Sequence, residues 1–161
     1  MCSSYKKFAN LIAACYLAFT GIAACAATAN ADESVKITRQ EVPKAVLDAL
    51  VVRYPAARAN AYARERRDGN TVYEIETTEK SVRRDIIFSV AGAILEVEEA
   101  IPPKRLPQVI LDSISTNYPS SRVISAEKVT KGTDVVYEAQ LSLKKKVTTL
   151  VYREDGTLVA P

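Results

Sequence analysis

Two periods of apolar and polar positions alternate along this chain. Val42, Val46, Leu47, Leu50 and Tyr54 recur at steps of four and of three or four, which is the spacing of one helix face. Pro43 stands at the start of this stripe, where a missing N–H costs nothing. Pro55 ends it, because the residue before a proline is pushed out of the α region. Period two then takes over: Tyr73, Ile75 and Thr77 alternate with Val72, Glu74 and Glu76, and alternate side chains of a strand point to opposite faces. Arg58 to Arg67 leads in through the hairpin-turn residues Asp68-Gly69-Asn70. A polar hairpin at Glu79 to Ser81 leads out to a third strand with the expected inward set Ile86, Phe88 and Val90. Gly92 then turns the chain into a short fourth strand.

The same pattern returns at an offset of 64 residues. Val42 to Leu95 aligns without a gap onto Leu106 to Val159, with identities that include Pro43/Pro107, Tyr54/Tyr118, Pro55/Pro119, Tyr73/Tyr137, Glu74/Glu138 and Gly92/Gly156. Leu106, Ile110, Leu111, Ile114 and Tyr118 repeat the helical stripe, and Lys144-Lys145 takes the place of the second hairpin. The predicted fold is α+β, a tandem repeat of one helix followed by a four-stranded antiparallel meander. The copies are placed at 32–100 and 101–161, with Ala100-Ile101-Pro102-Pro103 as a stiff linker. A module of about 60 residues buries only about 60% of its unfolded surface and is marginal alone. The copies should therefore join edge strands into one shared sheet, with both helices on one face and the opposite face open to solvent.

Composition narrows the chemistry. The chain has 161 residues, a net charge of +3, three Cys and no His or Trp. Lys6 and Lys7, an apolar stretch from Phe8 to Ala27 and the site Ala29-Asn30-Ala31 have the order of a secretory signal peptide, assigned to 1–31. Cys2, Cys15 and Cys25 all lie within it. The mature chain then has no disulfide framework and no thiolate nucleophile, although it is bound for an oxidising compartment. Ile22-Ala23-Ala24-Cys25 also resembles a bacterial lipobox, so lipidation at Cys25 is the alternative to cleavage before Asp32. Removing the leader takes away Lys6 and Lys7 and no acid, which lowers the net charge to +1. Nothing in that balance points to nucleic acid, whose binding domains are strongly basic.

The repeated residues resemble a known family. Val42-Pro43 through Tyr54-Pro55, Tyr73-Glu74 and Ala91-Gly92 are followed by Leu106-Pro107 through Tyr118-Pro119, Tyr137-Glu138 and Asp155-Gly156. This order is similar to that of the PepSY-like, β-lactamase-inhibitor-like family of secreted bacterial proteins. The resemblance implies a tandem helix-plus-meander fold, a binding or inhibitory role and no catalysis. The chain departs from the β-lactamase inhibitor itself, which has a disulfide in each repeat and aromatic residues in its inhibitory loops; here the hairpins are basic and lack aromatics. Fold transfers better than target.

With His and Cys absent, only carboxylate, Lys, Tyr or Ser chemistry is open to an enzyme, and no catalytic or cofactor-binding residue is assigned. Glu74 and Glu138 hold equivalent outward positions without facing each other. Glu96, Glu98 and Glu99 lack the Asp-x-Asp-x-Asp-Gly pattern of a calcium loop and read as a solvated strand end, so no metal site is assigned either. Two surfaces are candidates for a partner. One is the basic hairpin tips, Lys80, Arg83 and Arg84 in the first copy and Lys144, Lys145 and Lys146 in the second, suited to an acidic protein or an anionic envelope component. The other is the open sheet face, where Val72, Ile87, Val136 and Val151 form an apolar strip bordered by Glu74 and Glu138. The expected function is a non-enzymatic exported binding or inhibitor-like module of the bacterial envelope, periplasmic or secreted. A structural envelope lipoprotein anchored through Cys25 is the alternative, and a carboxylate-based hydrolase comes third.

Overall fold

The computed structural model describes residues 34–144 and 146–160. The leader, Cys25 and Lys145 lie outside the described residues. The chain opens with β1 (Ser34–Ile37) and a 3₁₀ turn (Arg39–Glu41), then runs α1 (Lys44–Arg53), β2 (Arg58–Arg67), β3 (Asn70–Glu79), β4 (Val82–Ser89) and β5 (Ile94–Ile101). A second 3₁₀ turn (Pro103–Arg105) leads to α2 (Gln108–Asn117), β6 (Arg122–Lys131), β7 (Asp134–Leu143), β8 (Lys146–Arg153) and β9 (Leu158–Ala160). All nine strands form one sheet in the order β1 to β9, each antiparallel to its neighbours. From α1 onward, each element of the first run has a counterpart beginning 64 residues later, as Lys44 and Gln108 or Arg58 and Arg122 show.

Local chemistry explains the boundaries. Pro43 and Pro107 sit one residue before their helices, and each carbonyl accepts the first helical N–H bonds, from Val46 and Leu47 or from Ile110 and Leu111. Tyr54 and Tyr118 close the helices ahead of the second prolines. Asp68 and Gly69 both have positive φ, of 50° and 77°, the twist that a two-residue hairpin loop needs to match its flanking strands. Lys80 and Ser81 adopt the same left-handed pair, at 46° and 71°, where a Cβ is costly. Replacing them by Asn-Gly is expected to raise stability by about 1 kcal/mol. The urea midpoint should move up with the m-value unchanged; an unmoved midpoint would mean that this hairpin holds no such strain.

The core is two clusters on the helix side of the sheet. Val42, Val46 and Leu50 pack on Tyr73, Ile75, Ile86 and Phe88. Leu106, Ile110 and Ile114 pack on Ala126, Tyr137, Ala139, Leu141, Leu150 and Tyr152. Four details differ from the pattern reading. An additional strand, β1, pairs with β2. Val90 is not inward: β4 ends at Ser89, and Val90 is 52% exposed in the turn. The fourth strand of the first run is eight residues long, whereas that of the second is three. Ala100 and Ile101 are paired strand residues rather than linker, lying opposite Glu127 and Ala126 of β6.

Candidate functional site

The sheet face turned away from the helices carries the charge. Because Tyr73 and Ile75 point to α1, Val72, Glu74 and Glu76 point the other way. Register extends this face across the strands. Ala63, Glu74, Ile87 and Glu96 form one row on β2 to β5. Glu76, Asp85, Glu98, Val129 and Val136 form the next on β3 to β7, and Ala100, Glu127, Glu138 and Val151 a third on β5 to β8.

Arginines lie over this face. Arg67 donates from Nε to Glu65 at 2.8 Å and from Nη1 to Glu96 at 3.2 Å, so its stem crosses β3 and β4. Arg83 donates from Nη2 to Glu127 at 2.6 Å, with Asp85 at 4.0 Å, and crosses β5. Long side chains bury apolar surface under their methylene stems in this way. The expected exposed apolar strip is corrected: Val72 and Ile87, on the strands Arg67 crosses, are 3% and 1% exposed, while on β7 and β8 Val136 is half-buried and Val151 is 5% exposed.

The carboxyl groups are partly enclosed too, which shifts their protonation. Glu74 is pushed up to about 8, first by burial, then by its hydrogen bond with Glu65 and the charges of Glu65, Asp85 and Glu76. Glu98 is pushed up to about 9 by burial, by its hydrogen bond with Glu96 and by the charges of Glu96, Glu127 and Glu138. Glu138 rises to about 7 through burial and the charges of Glu127 and Glu96. Burial also opposes the charge on Glu65, but the Glu74 hydrogen bond and the Arg67 guanidinium outweigh it and hold that carboxyl below the usual range. The arrangement is two hydrogen-bonded carboxyl pairs, Glu65 with Glu74 and Glu96 with Glu98, and a third acid, Glu138, set directly opposite Glu127. Glu96 is thus not on a solvated strand end; it is 6% exposed, and strand alternation sends Glu99 to the other face. Among the described residues no group of three such side chains could hold a metal ion, and no helix is long and apolar enough to cross a membrane.

The predicted basic tips separate for the same reason. Arg83 and Arg84 are consecutive strand residues, so they face opposite ways. Arg83 joins the acidic face. Arg84 lies on the helix side, where Nε donates to Glu99 at 2.6 Å, Nη1 donates to Glu79 at 3.3 Å and the guanidinium lies 5.6 Å from the Tyr54 ring centre. Only Lys80 of that trio is exposed at the tip, and Lys144 and Lys146 are exposed at the other. Tyr73 and Tyr137 are buried in their clusters, as the stripes predicted. Sequence reasoning missed Glu65, Glu127 and Arg67 as members of the acidic face. Their strand phase was the available signal, and bulges between Ala59 and Ala61 and between Val123 and Ser125 keep it from being counted forward from the starts of β2 and β6.

Comparison with known proteins agrees with this architecture. The model of the family described as "Putative beta-lactamase-inhibitor-like, PepSY-like" matches residues 29–96 and again 73–160. Among solved structures, a protein from Bacteroides eggerthii described as "putative periplasmic" is similar with a TM-score of 0.65 and 13% identity, covering 74% of this chain and 86% of that one. A DUF2874 family protein from Bacteroides uniformis gives 0.64 and 13%, covering 73% and 86%. A BLIP-like protein from Bacteroides fragilis gives 0.58 and 20%, covering 73% and 84%. No curated protein matches the sequence.

Proposed function

We propose, because this chain belongs to the PepSY-like, β-lactamase-inhibitor-like family, that it is a non-enzymatic binding module of the bacterial envelope whose sheet face engages a protein partner. The observation that carries this reading is the face itself. Both described helices pack on the other side, so a nine-stranded surface remains with no element of the described chain laid across it. Half-buried acids and arginines held in place on a rigid sheet offer a partner directed polar contacts, of which a typical interface carries about ten. The acids make the face unsuited to an anionic envelope polymer, which could meet only the lysines at the hairpin tips. The leader supports export to the periplasm or beyond. The lipobox-like Ile22-Ala23-Ala24-Cys25 favours, as a second reading, a structural lipoprotein held at a membrane through Cys25.

The test uses the mature protein as bait in cross-linked envelope extracts. Glu76→Lys with Gln140→Lys changes two half-buried positions on the acidic face. This pair is expected to lower partner recovery at least tenfold, while Lys144→Glu with Lys146→Glu, or Val52→Glu on the outer surface of α1, leaves it unchanged. Recovery of every partner by a face variant that melts at the wild-type temperature would overturn the assignment to the sheet.

A further inference from the structure

The helix side of the sheet holds a second feature, one the docking face does not use. The two core clusters do not merge. Above the β5–β6 seam between them is a cleft of about 480 Å³ at the C-terminal end of α1, within the roughly 300–1,000 Å³ range of small-ligand sites. Its wall is apolar where Tyr54, Ile94 and Val97 line it, and its rim holds Arg53, Arg84 and Lys128 against one acid, Glu99.

The cations differ in what they have left to offer. Arg84 is already engaged with Glu99 and Glu79. Arg53 lies 5.6 Å from the Tyr54 ring centre. Among the described residues, neither Arg53 nor Lys128 has a carboxylate within ion-pair distance. Arg53, held only by its contact over Tyr54, and Lys128, set beside Glu99 in the strand register, are two cations without an ion-pair partner next to an aromatic and aliphatic wall; they match an anion with an apolar body, because a hydrogen bond with both donor and acceptor ionised adds charge attraction to the bond. Glu99 in the same cleft disfavours a dianion. The counterparts of Arg53 and Arg84 are Asn117 at the end of α2 and Thr148 on β8, so the second half has no equivalent set.

We propose that this cleft binds a monocarboxylate with an apolar body, its carboxylate on Arg53 and Lys128 and its body on Tyr54, Ile94 and Val97. The same chemistry is offered by a small free acid and by the C-terminal residue of a peptide.

Amide chemical shifts of the mature protein, titrated with N-acetylleucine at pH 7, test it. Saturable shifts are expected at Tyr54, Val97 and Lys128, with a Kd on the order of 1 mM for so small a ligand. N-acetylleucinamide, which has the same body without the charge, should bind at least tenfold more weakly. Arg53→Glu, at an exposed helix position, and Lys128→Gln should each abolish the shifts, whereas Lys146→Gln should not. Tighter binding of the tripeptide Ala-Ala-Leu than of N-acetylleucine identifies a chain terminus as the source, and equal binding identifies a free acid. Equal affinity for acid and amide, shifts that survive both substitutions, or no saturable shift with any of the three probes overturns the proposal. None of these outcomes touches the docking reading, whose residues lie on the other face.

Discussion

Gly92→Ala is expected to lose about 4 kcal/mol of stability, which puts it among the most damaging single substitutions this chain could carry. Gly92 has φ 84°, and a Cβ built on it would lie 2.5 Å from the carbonyl oxygen and 2.9 Å from the carbonyl carbon of Ala45. Those are backbone atoms of the first turn of α1, so relief requires the helix to shift as a body. The left-handed conformation alone costs about 1 kcal/mol for a residue with a Cβ; the larger part comes from displacing the face on which Val46 and Leu50 are buried. Two other glycines separate the contributions. Gly156, at φ 85°, would place a Cβ 3.3 Å from both the Cβ and the carbonyl oxygen of Val109, tight but short of the clash at Gly92, and Gly156→Ala should cost about 2 kcal/mol. Gly69, at φ 77°, has nothing within 4 Å, and Gly69→Ala should show the conformational cost alone, about 1 kcal/mol. Urea unfolding of the three variants should rank them in that order. A Gly92→Ala midpoint no lower than that of Gly69→Ala would mean that the helix is not held against the β4–β5 turn.

This contact also bears on function, since the same turn that fixes α1 to one face leaves the other uncovered. It was legible in part. Pro43, Tyr54-Pro55 and the two-residue turns mark element ends because each imposes a backbone constraint that needs no tertiary information. The stripe Val46, Leu50 and the set Tyr73, Ile75 mark the buried side by period alone. β1 was not legible: Ser34-Val35-Lys36-Ile37 is four residues long, mostly exposed, and its partner β2 comes only after a helix. No adjacent turn announces such a strand.

The acidic face shows the same division. Alternation places Glu74 and Glu138 on the side away from the helices, where both are found. Which acids meet depends on register between distant strands, and a second bulge, between Ile87 and Phe88, offsets β4 from β5 just where Glu96 comes alongside Ile87. Arg83-Arg84 fails as a tip cluster because β4 begins at Val82. Once inside a strand, neighbouring side chains part to opposite faces, and two like charges adjacent in sequence become members of two different sites.

The acidic face carries the second large expectation: the protein should lose stability as pH rises from about 5 to 9. Glu74, Glu98 and Glu138 have native values raised to about 8, 9 and 7, whereas an unfolded Glu titrates near 4.3. Between those limits the native state holds protons that the unfolded state has released, and stability falls wherever the native state binds more protons. Their contribution is therefore complete below about pH 4.3 and is lost as pH climbs through the raised values. The groups held low, Glu65 by Glu74 and Arg67, and Glu41 and Asp155 by bonds with Thr38 and Thr157, act in the opposite sense and only at the acid end. Together they place the stability maximum near pH 5. Thermal unfolding should show the midpoint dropping by at least about 5 °C between pH 5 and pH 9, the equivalent of about 1 kcal/mol for a domain of this size. Glu98→Gln separates this cause from any general effect of alkali. Its amide can still donate to Glu96 but cannot ionise, so the variant should match the wild type at pH 5, exceed it at pH 9 and show a flatter profile. A midpoint that rises toward pH 9, or a Glu98→Gln profile parallel to the wild type, would show that these carboxyl pairs are ionised in the native sheet. In that case the face would meet its partner with its full negative charge rather than as hydrogen-bonded, partly neutral pairs.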